Sequence, residues 1–154
     1  MRLFAGGVVK TDTEEKARGR CIEAIQECCD HAAKFGVILA LENHGGIVNT
    51  IDQMLTLVKA VKHDWFGVNW DTGNFHSADP YADLEKLAPY AVVAQIKTEI
   101  QRAGQKKEEA DLKRKVDILR AVGYRGYVAL EYEAAEDPKE AIPRHVATLK
   151  KLVG

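Results

Sequence analysis

The sequence predicts an α/β fold built from parallel βα repeats. Three observations carry that reading. Short aliphatic runs alternate with amphipathic segments along the whole chain. Capping residues stand at the start of the helical segments. Each aliphatic run after the first stops at a carboxylate, an amide or a cation. Alternation of this kind means parallel strands joined by right-handed crossovers. No linker or low-complexity tract interrupts it, so residues 1–154 read as one domain.

Arg2 to Ala5 is a short apolar start that predicts a strand, followed by Gly6-Gly7. Thr13 to Phe35 predicts a long helix, because Ala17, Cys21, Ile22, Ile25, Cys28, Cys29 and Ala32 fall near a 3.6 period. Gly36 ends it. Val37 to Leu41 is unbroken, aliphatic and short for a helix, as in a strand buried on both faces. Thr50 opens the next helix, and Gln53 completes a capping box. Met54, Leu55, Leu57, Val58 and Val61 supply its apolar side. Phe66 to Trp70 predicts a strand that ends at Asp71. Asp79-Pro80 starts a short helix whose buried side is Leu84, Leu87 and Ala88. Ala91 to Ile96 predicts a strand running into Lys97, and the polar stretch Thr98 to Lys107 reads as a loop. Asp111 to Val122 predicts a helix stopped by Gly123. Tyr127 to Leu130 predicts a strand ending at Glu131, and Asp137-Pro138 opens a final helix through Lys151.

Composition bounds the function. Formal net charge is −1, from 22 Lys plus Arg against 23 Asp plus Glu, which gives no basic footprint for nucleic acid. No apolar run approaches the ~20 residues of a membrane helix. Nothing at Met1 to Gly7 reads as a signal peptide, so a cytoplasmic location is expected. Cys21, Cys28 and Cys29 share one helical segment and are expected to be small helix residues, not a disulfide or zinc framework.

Parallel strands bring their C-terminal ends to one edge, and that edge carries the site in α/β sheets and barrels. The residues delivered there are Glu42, Asn43 and His44, then Asp71 and Asn74, then Gln95 and Lys97, then Glu131 and Glu133. Converging carboxylates repel one another and gain proton affinity unless a cation intervenes. Glu42, Asp71, Gln95 and Glu131 are hard oxygen ligands suited to Mn²⁺ or Mg²⁺, with Co²⁺ or Zn²⁺ as alternatives. Such an ion polarises a sugar carbonyl and stabilises the enediolate left when an α-proton departs. Lys97 lies two residues past Gln95, hence on the same strand face, placed to stabilise the oxyanion.

Ala-Leu-Glu-Asn-His-Gly-Gly (40–46), Asn-Trp-Asp-Thr-Gly-Asn-Phe-His (69–76), Gln-Ile-Lys-Thr-Glu (95–99) and Ala-Leu-Glu-Tyr-Glu (129–133) resemble the xylose isomerase-like TIM-barrel superfamily. The resemblance is closest to its sugar phosphate isomerase/epimerase branch. It implies one metal at the ends of the last four barrel strands, at positions matching Glu42, Asp71, Gln95 and Glu131. Many members have histidine where Gln95 stands; hydroxypyruvate isomerase-like members have glutamine. Epimerase-type members carry a second acid/base glutamate six residues past the first ligand, where this chain has Val48. Glu131 would then serve as ligand and base together, with Glu42 beside it and His44 as candidate partner. A closed eight-stranded barrel takes ~250 residues, and at least ~200. The chain's strands match barrel strands four to eight, so an incomplete barrel is expected, exposing two sheet edges and part of an apolar inner face, with self-association covering them.

The expected activity is metal-dependent isomerisation or epimerisation of a small sugar, sugar phosphate or keto acid. Asn43, Asn74, His76 and Trp70 are the expected substrate contacts, Trp70 by stacking on a sugar face. Dehydration or lysis on the same metal, and a metal- or sugar-binding remnant without turnover, are the alternatives. An endonuclease IV-like nuclease fits poorly with only five histidines and balanced charge.

Overall fold

A computed structural model describes residues 1–154. Five strands form one parallel sheet in the order β1-β2-β3-β4-β7: β1 Arg2–Leu3, β2 Leu39–Glu42, β3 Phe66–Asp71, β4 Ala91–Lys97 and β7 Val128–Glu131. The crossovers contain helices α1 (Glu14–Ala33), α2 (Ile51–Ala60), α3 (Pro80–Leu87) and α4 (Leu112–Ala121), and α5 (Pro138–Val153) follows the last strand. Helix starts follow the predicted caps at Thr50, Asp79 and Asp137, while Thr13 and Asp111, expected as first helical residues, are caps as well. Thr13, Asp79, Asp111 and Asp137 each accept a first-turn N–H, and Thr50 with Gln53 forms the reciprocal box.

Strand alternation divides the sheet into two faces. Leu39, Leu41, Val68, Trp70, Ala94 and Ile96 point to the helices and join the core with Ile25, Cys29, Met54, Leu57, Leu84, Leu87, Val116 and Leu119. The opposite face carries Arg2, Ala40, Glu42, Asn69, Asp71, Val93, Gln95, Lys97, Ala129 and Glu131, so the expected apolar inner face is interrupted by polar residues toward the strand ends. Large apolar side chains are exposed near both sheet edges, at Met1, Phe4 and Ile38 by β1 and at Tyr127 by β7, and also away from them, as at Phe35 and Val153.

Trp70 corrects its expected role as a sugar platform. It is fully buried on the helix side, and its Nε1 donates to the Leu84 carbonyl at 3.0 Å. The reason is parity: Asp71 faces the site, so its chain neighbour faces the core. Trp70→Phe is expected to cost about 1–3 kcal/mol, since it opens a void and removes one of the two hydrogen bonds to the Leu84 carbonyl, which keeps the Ala88 N–H. Urea unfolding reads that loss.

The segment expected as a loop after β4 is a second correction. Glu99–Gln101 (β5) and Lys107–Glu109 (β6) pair antiparallel, with Ile100 buried beneath them. Its charges satisfy one another across the ribbon, as in the pairs Lys107–Glu99 and Arg102–Glu108, so a polar sequence forms a strand pair.

Candidate active site

Every expected site strand runs one residue further than its aliphatic run, taking the charged residue into the ladder. Register then sets the neighbours: Glu42 beside Asn69, Asp71 beside Gln95, and Lys97 beside Glu131. The four proposed ligands and Lys97 thus occupy one edge of one sheet face.

Asp71 and Glu131 form the centre. Asp71 is fully buried, its Oδ1 accepts the Gly73 N–H at 2.8 Å, and its Oδ2 has no hydrogen-bond partner. Glu131 Oε2 is likewise buried and unpartnered. Lys97 Nζ stands 3.6 Å from the first and 3.7 Å from the second. Burial, followed by the facing Glu131, drives the Asp71 carboxyl up to about 8. Two acceptors facing each other need a shared proton or a cation between them.

Lys97 is itself buried. Burial pulls its proton affinity down, but Glu133, Asp71 and Glu131 together pull harder, and the net direction is up. It donates to Glu133 Oε2 at 2.8 Å and Asn74 Oδ1 at 3.1 Å, not to its neighbour Glu99. Its stem crosses Gly73, where a Cβ would lie 2.5 Å from Lys97 Cδ.

Glu42 occupies a second group. Its Oε1 meets His44 Nδ1 at 2.9 Å, and its Oε2 accepts from Asn69 Nδ2 at 2.6 Å and Arg2 Nη1 at 3.2 Å. Asn69 Nδ2 also donates to Gln95 Oε1. The amide of Asn69 therefore ties Glu42 and Gln95 together, while its own Oδ1 is buried and unpartnered. His44 is exposed and packs edge-on against Phe4 at 5.0 Å.

Asn43 departs from its expected contact with substrate. It is buried, its Nδ2 donates to the Asp71 carbonyl and its Oδ1 accepts the Asp71 N–H, both at 3.0 Å. Both ends of the amide are used in holding Asp71 in place. Asn74 and His76 do line open space: with Gly73, Lys97, Gln101 and Glu133 they border a polar cavity of about 180 Å³ under the β5–β6 ribbon. Glu133 joins the site as its place on the expected edge implies, and Asn69 and Arg2 belong to it without having been expected there. Parity is the signal for Asn69, which lies two residues before Asp71 on the same strand face.

The family model described as "Xylose isomerase-like TIM barrel" matches residues 1–152. The chain is a member of that family. No curated protein matches the sequence. Solved structures of similar fold include 3-keto-D-glucoside 4-epimerase YcjR from E. coli, at TM-score 0.76 and 18% identity over 97% of this chain and 63% of that one. A xylose isomerase-like TIM barrel protein from Mycobacterium smegmatis in complex with magnesium gives 0.73 and 23%, over 95% and 54%. A xylose isomerase domain protein from Planctomyces limnophilus gives 0.69 and 20%, over 96% and 55%. The chain thus spans between about half and two-thirds of these relatives, and its sheet is an incomplete TIM barrel. No helix in it is long and apolar enough to cross a membrane.

A divalent cation fits the donors present. The orphaned Asp71 Oδ2 and Glu131 Oε2 are hard carboxyl oxygens without a partner, and a cation would displace the proton that burial holds on Asp71. No three His, Cys, Asp or Glu side chains gather unaided into a cage. Gln95, in register with Asp71, and Glu42, joined to it through Asn69, stand on the same sheet face, their oxygens held by Asn69, Arg2 and His44.

Proposed function

We propose that this chain carries the metal-dependent site of an isomerase or epimerase acting on a small sugar, sugar phosphate or keto acid. The observation behind it is the pair of buried, unpartnered carboxylate oxygens, Asp71 Oδ2 and Glu131 Oε2, beside a protonated Lys97 at the strand ends. Asp71, Glu131, Glu42 and Gln95 would hold Mn²⁺ or Mg²⁺, which supplies positive charge to a substrate carbonyl oxygen and so acidifies the neighbouring C–H.

The chain's own groups do the rest. Glu131 takes the α-proton and returns it to the same carbon or its neighbour. Lys97 Nζ, kept charged by three carboxylates, donates to the oxygen on which negative charge grows. His44 exchanges a proton with substrate while Glu42 fixes its ring through Nδ1. Asn74 and His76 bind hydroxyls where they line the cavity beside Lys97. Val48 is buried in the core and takes no part in proton transfer.

The test is exchange of the substrate α-proton with D₂O across a panel of ketoses, aldoses, their phosphates and keto acids. Deuterium is expected in at least one of them with Mn²⁺ present, and Glu131→Gln is expected to lower the exchange rate by about 100-fold or more. Exchange unchanged in that variant would remove Glu131 as the base. Metal binding without exchange on any member would favour a remnant that binds but does not turn over.

A further inference from the structure

Helix α4 sends one charged side chain into the core. Lys115 lies between Val116, Ile118 and Leu119 on the buried face of the helix and is itself fully buried. A buried amine with no carboxylate beside it is a costly placement. Its Nζ donates to the backbone carbonyl of Lys97 at 2.7 Å. The sheet stops at that point: Lys97 is the last residue of β4, and its register partner Glu131 is the last of β7. On the other side of the same residue, the Lys97 N–H donates to Thr72 Oγ1 at 2.8 Å. Both polar backbone groups of Lys97 are therefore held by side chains, and the slot over Gly73 confines its stem.

We propose that Lys115 is a positioning residue for Lys97: it fixes the strand-end peptide so that the Lys97 ammonium stays between Asp71, Glu131 and Glu133. The lever is long. A turn of about 10° at the peptide moves an ammonium about 6 Å away by about 1 Å, a displacement that costs a reacting group up to ~100-fold. The placement of Lys97 stands on geometry alone, whereas its use in the reaction rests on the function proposed above.

The readout is the rate at which acetic N-hydroxysuccinimide ester acetylates each lysine of the metal-free chain, followed by mass spectrometry. In the wild type, Lys97 is expected to react at least ~10-fold more slowly than exposed Lys106, whose amine is unprotected. In Lys115→Met, Lys97 is expected to react ~10-fold faster than before, while Lys106 stays close to wild type and the chain remains folded. A folded Lys115→Met chain with Lys97 still protected overturns the proposal. If that variant does not fold, Lys115→Gln, whose shorter amide cannot span to the carbonyl, is read the same way. Should neither fold, a crystal structure of the wild type with Lys115 Nζ turned away from the Lys97 carbonyl overturns it, and one with that bond in place supports it. Metal affinity and α-proton exchange are not part of this readout, so a failure here is distinguishable from a failure of the proposed function.

Discussion

Asp71→Asn is expected to stabilise the metal-free chain at neutral pH by several kcal/mol and, in the same step, to abolish its tight binding of divalent cations. The buried carboxyl of Asp71 titrates near 8 when folded, against 3.8 for an unhindered one. A group raised in this way helps the fold only below its unfolded pKa. Its contribution is lost as pH climbs from about 4 through about 8, because the unfolded chain releases the proton and the folded chain keeps it. Each tenfold change in proton affinity is worth about 1.4 kcal/mol. Asparagine keeps an oxygen for the Gly73 N–H and gains a donor for Glu131, so the penalty disappears with the charge. A site residue that destabilises its own fold is a common cost of function.

Lys115 supplies the opposite limb. Burial, offset in part by Asp71, drops its amine to about 7. A lysine lowered in this way helps the fold above its unfolded pKa of 10.5 and hinders it as pH falls toward about 7. Together the two groups put the stability minimum of the metal-free chain near neutrality. The lowered carboxyl of Glu133 acts only below its ordinary 4.5, outside that window. Urea unfolding at about pH 5, 7.5 and 10 reads both limbs. The acid-side decline should vanish in Asp71→Asn, and a wild-type chain that gains stability between the first two pH values contradicts the assignment.

Gly46→Ala is expected to cost about 3 kcal/mol or more. Gly46 has φ +59, and a Cβ there would fall 1.9 Å from the Gly6 carbonyl oxygen. That oxygen also accepts the Ile47 N–H at 3.1 Å. The contact fastens the loop after β2 to the loop after β1, next to Glu42 and His44. Denaturant unfolding of the variant gives the magnitude, and a loss under about 1 kcal/mol would show that the two loops part freely.

Much of this was legible in the amino-acid order. The βα alternation, the caps at Thr50, Asp79 and Asp137, and the strand-end residues Glu42, Asp71, Gln95 and Glu131 all follow from local pattern. Trp70 and Asn43 were misplaced for different reasons. The side a residue faces depends on parity counted from its neighbour, which puts Trp70 in the core. The two-ended grip of Asn43 on Asp71 depends on which strand lies alongside. Lys115 was invisible because its partner is a backbone carbonyl 18 residues away, and carbonyls leave no trace in a sequence. The β5–β6 ribbon was missed because cross-strand ion pairs, not an apolar alternation, join it.

The central claim is that Asp71 and Glu131 converge to bind a cation. Titration of the chain with Mn²⁺, followed by electron paramagnetic resonance of the free ion, tests it directly. Outer partners of metal ligands alone are worth about 10–100-fold in affinity, so loss of a ligand is expected to weaken binding by about 100-fold or more. The prediction is a single Mn²⁺ site per chain that is lost in Glu131→Gln and in Asp71→Asn. Absence of Mn²⁺ binding in the wild type, or binding that both variants retain at full strength, would contradict it.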